Sequence, residues 1–354
     1  MTASAKTSAG NFFEDFRFGQ EIRHAVPRTV TAGDVALYTA LTGSRFALPS
    51  SDAFAKTLGL PQAPLDDLLV FHIVFGRTVP DISLNAIANL GYAQGSFGAP
   101  VYPGDTLSAS STVIGLKENS NRQTGVVYVR SIGRNQRGAM VVDYVRWVLV
   151  RKRDPQSPAP TATVPELVAA LPGTALDVGG GLDLRHFDPA VTGSPHRWED
   201  YEPGERIDHV DGMTIEESCH MTATRLYQNN ARVHFNQHAE KDGRFGRRIV
   251  YGGHVISLAR ALSVNGLGNA LKLLAINGGR HTNPSFAGDT IYAWSEVLAK
   301  AELDGAPQAG ALRLRLVATK NQPAAGFPDK AADGNPDPAV VLDFDYWALL
   351  PRRG

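Results

Sequence analysis

Along residues 312–316 leucine alternates with arginine, Leu312-Arg313-Leu314-Arg315-Leu316. A period of two is that of a strand with one wet face. Comparable apolar stretches fill 106–113, 126–132 and 140–150, and again 290–298, 311–319 and 340–350. They predict two sets of antiparallel strands. A run of another kind precedes each set. Asp66 and Asp67 lead into Leu-Leu-Val-Phe-His-Ile-Val-Phe at 68–75. An acidic pair suits the positive end of a helix, and a run with no polar face predicts a helix buried on all sides. In the second half Val255, Leu258, Ala259 and Leu262 fall at helical spacing, with Gly266 and Gly268 read as the end of that helix. One buried helix gripped by an antiparallel sheet is the hot-dog arrangement. The expected fold is α+β, a double hot dog.

The doubling is legible in the residues themselves. Phe-Phe-Glu-Asp-Phe-Arg-Phe-Gly-Gln-Glu-Ile-Arg-His at 12–24 returns as Arg-Trp-Glu-Asp-Tyr-Glu-Pro-Gly-Glu-Arg-Ile-Asp-His at 197–209, 185 residues later. Pro-Val-Tyr-Pro-Gly-Asp-Thr at 100–106 returns as Pro-Ser-Phe-Ala-Gly-Asp-Thr at 284–290, 184 later. The stretch 142–153 matches 342–353 at an offset of 200. The growth falls in 323–338, whose Pro, Gly and Asp content predicts an inserted surface loop. Three anchors in one order make the chain a duplicated domain. Four prolines in 154–165 make a stiff connector. The expected division is an N-terminal repeat at 1–154, a linker at 155–180 and a C-terminal repeat at 181–354.

Composition removes several function classes. The 354 residues are enough for two cores, and 35 Lys plus Arg balance 35 Asp plus Glu. No global field therefore draws nucleic acid or an acidic membrane surface. Cys219 is the only cysteine, which excludes an intrachain disulfide and suits a reducing compartment. The first ten residues are small and polar, read as disordered, and lack the apolar core of a signal peptide. No apolar run reaches the length of a membrane span. The expectation is a soluble, cytoplasmic protein with no nucleic-acid or membrane partner, and a homo-oligomer is compatible with it. No HExxH, Cys-x-x-Cys or phosphate loop occurs, so neither metal nor cofactor is expected.

Chemistry concentrates in 227–254. The stretch Tyr-Gln-Asn-Asn-Ala-Arg-Val-His-Phe-Asn is followed by a charged loop and then by Tyr-Gly-Gly-His at a helix start. A histidine moves protons at neutral pH. Backbone N–H groups at a helix start hold a developing negative oxygen, and glycine lets the backbone approach closely. Both halves of an acid–base reaction on a carbonyl compound are thus present in one window.

These residues resemble the MaoC-type, or hydratase-2, enoyl-CoA hydratases. That family's motif runs Gly-Asp-x-Asn-Pro-aliphatic-His-x-Asp, then Phe-Gly-x-x-Ile-x-His-Gly before the central helix. His234 matches its histidine, with Val233 as the aliphatic residue, and Phe245, Gly246, Ile249 and Gly252 match the second block. Within the family the pattern is similar to the mesaconyl-CoA hydratases (β-methylmalyl-CoA dehydratases). The resemblance implies reversible syn hydration of a short, branched 2-enoyl-CoA carrying a second carboxylate, without metal or redox cofactor. His234 and Asn229 are the expected catalytic residues. Gly252 and Gly253 would form the oxyanion hole, and Tyr251, Asn236, Arg232 and His254 would touch substrate.

Two departures shape the chemistry. Asn229 stands at the motif's Asp, and Ala231-Arg232 replaces its Asn-Pro; Asn236 stands at the Asp that follows. An amide takes no proton, so His234 must act as both base and acid while Asn229 holds the water through its carbonyl and amide. Arg232 could bind a distal carboxylate or be a solvated loop residue, and His254 could touch substrate or face the helix surface. His72, inside an apolar run, is read as a satisfied core histidine, and His24 and His209 as structural. Asp105 and Asp289 are read as turn residues. In the first repeat Pro49 and Ser44 occupy the positions of His234 and Asn229. That repeat is expected to be catalytically silent, shaping the acyl pocket and closing the sheet edge. The rivals are a hot-dog acyl-CoA thioesterase, which Asn229 disfavours, and a non-catalytic acyl-CoA-binding protein.

Overall fold

The computed structural model describes residues 6–353. Of the start expected to be disordered, residues 1–5 lie outside the described residues, whereas Ala9 is held through its carbonyl by Asn85 Nδ2 at 2.9 Å. In the first repeat β1 (Glu21–Thr29), β2 (Ala86–Phe97), β3 (Thr106–Glu118), β4 (Thr124–Arg134) and β5 (Met140–Arg151) surround a helix at Asp67–Ile82. In the second, β6 (Arg206–Asp208), β7 (Met213–Thr214), β8 (Lys272–Arg280), β9 (Thr290–Glu302), β10 (Ala309–Lys320) and β11 (Val340–Pro351) surround a helix at Gly252–Leu262. That helix ends at Leu262 rather than near Gly268; Gly266 lies in the following turn with φ +101°.

All the strands join one sheet in the order β1-β3-β4-β5-β2-β8-β11-β10-β9-β6, with β7 beside β9. The halves meet through β2 and β8, antiparallel, with Tyr92 opposite Gly279 and Ser96 opposite Ala275. Each repeat thereby covers the edge that the other would leave open. The first central helix contacts β1, β3, β4 and β5, and the second contacts β9, β10 and β11. One hydrophobic cluster contains Leu68, Phe71 and Phe75 from one helix with Val255, Ile256 and Leu258 from the other, so the two repeats share a core.

The repeat anchors are the same physical devices used twice. His24 bonds Asp81 and Ser111, each at 2.7 Å, while His209 bonds the Asn265 carbonyl at 2.7 Å and Ser295 at 2.8 Å. Asp105 accepts from the Tyr102 N–H at 2.9 Å and Asp289 from the Phe286 N–H at 2.8 Å, as turn residues do. Asp15 and Asp200 are gripped by Arg153 and Arg353, each two residues past the end of its repeat's last strand. The insertion at 323–338 is not loose. Trp294 Nε1 donates to the Pro328 carbonyl at 3.0 Å, and Phe327 packs edge-on against the Trp294 ring. The connector runs along β3, where Thr163 and Leu116 exchange both backbone bonds at 2.8 Å.

Candidate active site

The helix at Glu217–Leu226 runs into a turn that delivers Asn229. Gln228 in this turn is left-handed at φ +52°, a conformation that costs a non-glycine residue about 1–3 kcal/mol and persists only where its surroundings impose it. The first repeat imposes it here. Arg77 donates to Gln228 Oε1 and Arg28 to the Leu226 carbonyl, and a methyl on Gly76 would overlap the Tyr227 carbonyl oxygen. Asn229 is buried, and its Oδ1 accepts from the Ala231 N–H at 3.1 Å. The carbonyl expected to hold water is therefore already engaged, and the amide nitrogen has no partner among the described residues.

His234 lies in a one-turn helix at Arg232–Phe235, half-buried. Its Nδ1 is 3.1 Å from the Ile249 carbonyl oxygen. A carbonyl can only accept, so Nδ1 carries the proton and Nε2 presents a lone pair. Burial pushes the His234 pKa down to about 4, against a smaller upward pull from the Ile249 carbonyl, and His220 nearby adds to the lowering. The ring is neutral at pH 7 and basic at Nε2. Its face meets the Tyr251 ring edge-on at 5.5 Å, and Tyr251 is the residue from which the second central helix starts.

Gly252 and Gly253 open that helix, where the first amides have no carbonyl of their own turn to bond. Both glycines are sterically required. A β-carbon on Gly252 would come within 2.4 Å of the His281 imidazole, and one on Gly253 within 2.4 Å of the Tyr251 ring. Tyr251 Oη is 3.4 Å from His72 Nδ1, and His72 Nε2 is 2.9 Å from Ser257 Oγ. Tyr38 Oη donates to Ser257 Oγ at 2.9 Å and lies 3.5 Å from Asp66. His72 is thus a satisfied core histidine. Ser257 holds the same place in the second repeat, 185 residues on, so the bond joins equivalent residues across the repeats.

The remaining expected residues divide. His254 is buried rather than on an outer helix surface; neither ring nitrogen finds a partner among the described residues, and burial lowers its pKa to about 4, with His220 adding to the effect. Asn236 is occupied otherwise: its Oδ1 accepts from the Ala239 N–H at 3.0 Å and caps the next helix. Arg232 is exposed, and its side chain has no polar partner among the described residues. Phe245 packs on Phe286 at the surface. Sequence reasoning did not single out His281, Tyr92 or His220. His281 stacks over Gly252 with Tyr92 Oη 3.3 Å from its Nε2; burial lowers its pKa to about 4, and the proximity of His234 contributes. No group of three His, Cys, Asp or Glu side chains among the described residues converges in the manner of metal ligands. No helix among them is long and apolar enough to cross a membrane.

The family model described as mesaconyl-CoA hydratase matches residues 2–327. The chain belongs to that family. It is a hydro-lyase with the MaoC-like double hot-dog fold. It is 67% identical over 99% of its length to the whole of the β-methylmalyl-CoA dehydratase of Chloroflexus aurantiacus. It is 60% identical over 98% of its length to the whole of the mesaconyl-CoA hydratase of Cereibacter sphaeroides. A crystal structure of a MaoC domain protein dehydratase from Chloroflexus aurantiacus superposes over 99% of this chain and 100% of that one, with a TM-score of 0.97 at 67% identity. A double hot-dog protein of Mycobacterium tuberculosis superposes with a TM-score of 0.74 at 25% identity, over 97% of this chain and 99% of that one.

Proposed function

We propose that this protein, acting in the cytoplasm, reversibly hydrates a short branched 2-enoyl-CoA, mesaconyl-CoA in particular, to β-methylmalyl-CoA. One site per chain carries the reaction, in the repeat at 181–354; the repeat at 1–154, joined by the linker 155–180, is a scaffold. The Asn229 amide donates to the oxygen of a water beside His234. Nε2 removes a proton from that water as its oxygen bonds to C3. The electron pair of the C2–C3 double bond moves onto the thioester carbonyl, and the Gly252 and Gly253 amides stabilise the oxygen that gains charge. Nε2 then returns the proton to C2, the enolate collapses, and water has added to one face. The reverse sequence expels water.

The observation that carries this reading is the tautomer of His234. A ring whose Nδ1 proton is committed to the Ile249 carbonyl and whose low pKa keeps it neutral presents a base, beside a helix start built from two glycines. A positioned acid–base group contributes roughly 10²–10⁴ in rate. The test is loss of enone absorbance with mesaconyl-CoA and crotonyl-CoA, together with single-turnover rates for His234→Ala. A fall of roughly 10³ is expected for the variant; near-normal chemistry would remove the mechanism. Release of free thiol from a saturated acyl-CoA would instead favour a thioesterase.

A further inference from the structure

The register that pairs Pro284 with Pro100 also pairs His281 with Phe97. Phe97 is buried in the first repeat and lines its small cavity. In the second repeat the same position holds an imidazole pressed onto Gly252. Tyr92 Oη lies 3.3 Å from His281 Nε2 and, as a protonated phenol, can donate to that nitrogen. With the phenol donating, a neutral His281 bears its own proton on Nδ1, and Nδ1 has no partner among the described residues. The wall above the Gly252 amide offers a hydrogen-bond donor where the silent repeat offers a benzene ring. A purely aliphatic acyl group would be served better by the ring.

A second change at the same site has the same sense. Asn229 stands where the family motif has a carboxylate. The titratable groups gathered around the site are His72, His220, His234, His254 and His281 with the phenols of Tyr92, Tyr227 and Tyr251, and the buried Arg146 guanidinium acts on Tyr92 and Tyr251. The carboxylate nearest them, Glu217, is turned outward and paired with Arg248 and His220. Asp66, beyond Tyr38 and Tyr227, is engaged by the Leu68 N–H, and no carboxylate among the described residues is paired with His281.

We propose that His281 and Asn229 together select an acyl group bearing a second carboxylate, which accepts from His281 Nδ1–H, with Tyr92 as the positioning residue. The proposal rests on the hydration reading above. In mesaconyl-CoA the carboxylate is borne by C3, the carbon that water attacks. An aspartate holding that water would face the substrate carboxylate across about 4 Å, where like charges at an effective dielectric of 20 disfavour binding by roughly 10³. The amide keeps a donor to the water and removes the repulsion.

The experiment compares kcat/KM for mesaconyl-CoA and crotonyl-CoA, which lacks the second carboxylate, in the wild type, His281→Phe, His281→Gln, Asn229→Asp and Tyr92→Phe. The mesaconyl-to-crotonyl ratio is expected to fall roughly 10- to 100-fold in His281→Phe, chiefly through KM, with partial recovery in His281→Gln, which retains an N–H. In Asn229→Asp, nearly isosteric and independent of His281 packing, it falls at least about 10-fold. Tyr92→Phe raises KM for mesaconyl-CoA a few-fold and leaves that for crotonyl-CoA less affected. Equal losses for both thioesters in His281→Phe, or an unchanged ratio in Asn229→Asp, would overturn the proposal. A wild type that hydrates crotonyl-CoA but not mesaconyl-CoA overturns it and leaves hydration standing; one that hydrates neither overturns both.

Discussion

The two helix starts, at Tyr251-Gly252 and Asp66-Asp67, occupy equivalent places in the repeats and do opposite things with the same amides. At the second start the glycines leave the amides open beneath His281. At the first, Asp66 Oδ1 accepts from the Leu68 N–H at 2.9 Å, so the protein's own carboxylate sits where an oxyanion would bind. Asp67 accepts from the Leu273 N–H at 2.8 Å, tying the first helix start to the second repeat. Phe46, Pro49, Asp66, Asp67, Phe97 and Lys272 line a cavity of about 50 Å³, well below the several hundred Å³ of a ligand pocket. The proposed silence of the first repeat thus rests on more than Pro49 standing at the position of His234: an amide of its helix start is already taken by Asp66.

The sharpest way to break the comparison is at Gly252. Gly252→Ala removes the close approach to substrate, and its methyl also collides with His281. Turnover is expected to fall about 10²–10³-fold, and stability by about 1–3 kcal/mol through overpacking. His281→Ala added to Gly252→Ala should restore most of the stability, read by urea unfolding, but not crotonyl-CoA turnover. Recovery of both together would mean that the glycine is there only for packing.

The scaffold role of the silent repeat is tested at Gly76, far in sequence from any reacting group. Gly76→Ala must push the Tyr227–Gln228 backbone away, because the obstacle is a carbonyl rather than a flexible side chain. The displaced turn carries Asn229. A loss of roughly 10-fold or more in kcat is expected, since misplacement by about an ångström costs up to 10² in rate, with KM for CoA thioesters changed less. A variant with unaltered kcat would show that the first central helix does not position the loop.

The contrast also explains what could be read before the fold was known. Alternation at 312–316 and the apolar run at 68–75 announce their elements because each has one kind of environment. β2 and β8 do not announce themselves: Ala86–Phe97 and Lys272–Arg280 form the middle of the sheet, carry glycines, and show no clean alternation. They are also the join between the repeats. His234 stood out through its neighbours, but its tautomer depends on the carbonyl of Ile249, fifteen residues away. The place of Asn236 in the motif suggests a substrate contact, and only the fold shows that its Oδ1 also caps the next helix. His281 carried a signal that was available and unused: aligned on the proline anchor, an aromatic position in one repeat becomes an imidazole in the other.

The last contrast is one of sign: the two sites titrate in opposite directions. His234, His254 and His281 around the live site, and His209 in its anchor, have pKa values lowered by burial from 6.5 to about 4. Between those values the unfolded chain binds more protons than the folded one, so their contribution to stability is complete above pH 6.5 and lost as pH falls toward 4. Asp67 at the silent site is opposite. Burial raises its pKa to about 6, partly offset by Lys272, so the folded chain binds the extra proton and this group's penalty disappears as pH falls from 6 toward 3.8. The histidines outnumber it, and the wild-type urea midpoint is expected to drop from pH 7.5 to pH 5. Asp67→Asn keeps an oxygen for the Leu273 N–H while removing the buried charge, and should stabilise the protein at pH 7.5 by roughly 1–3 kcal/mol. That advantage should shrink as pH falls through 6, where wild-type Asp67 protonates and becomes nearly equivalent to the amide. An advantage that instead grew on acidification would mean that Asp67 is held as a favourable ion pair with Lys272, and that the first helix start is stabilised by charge rather than burdened by it.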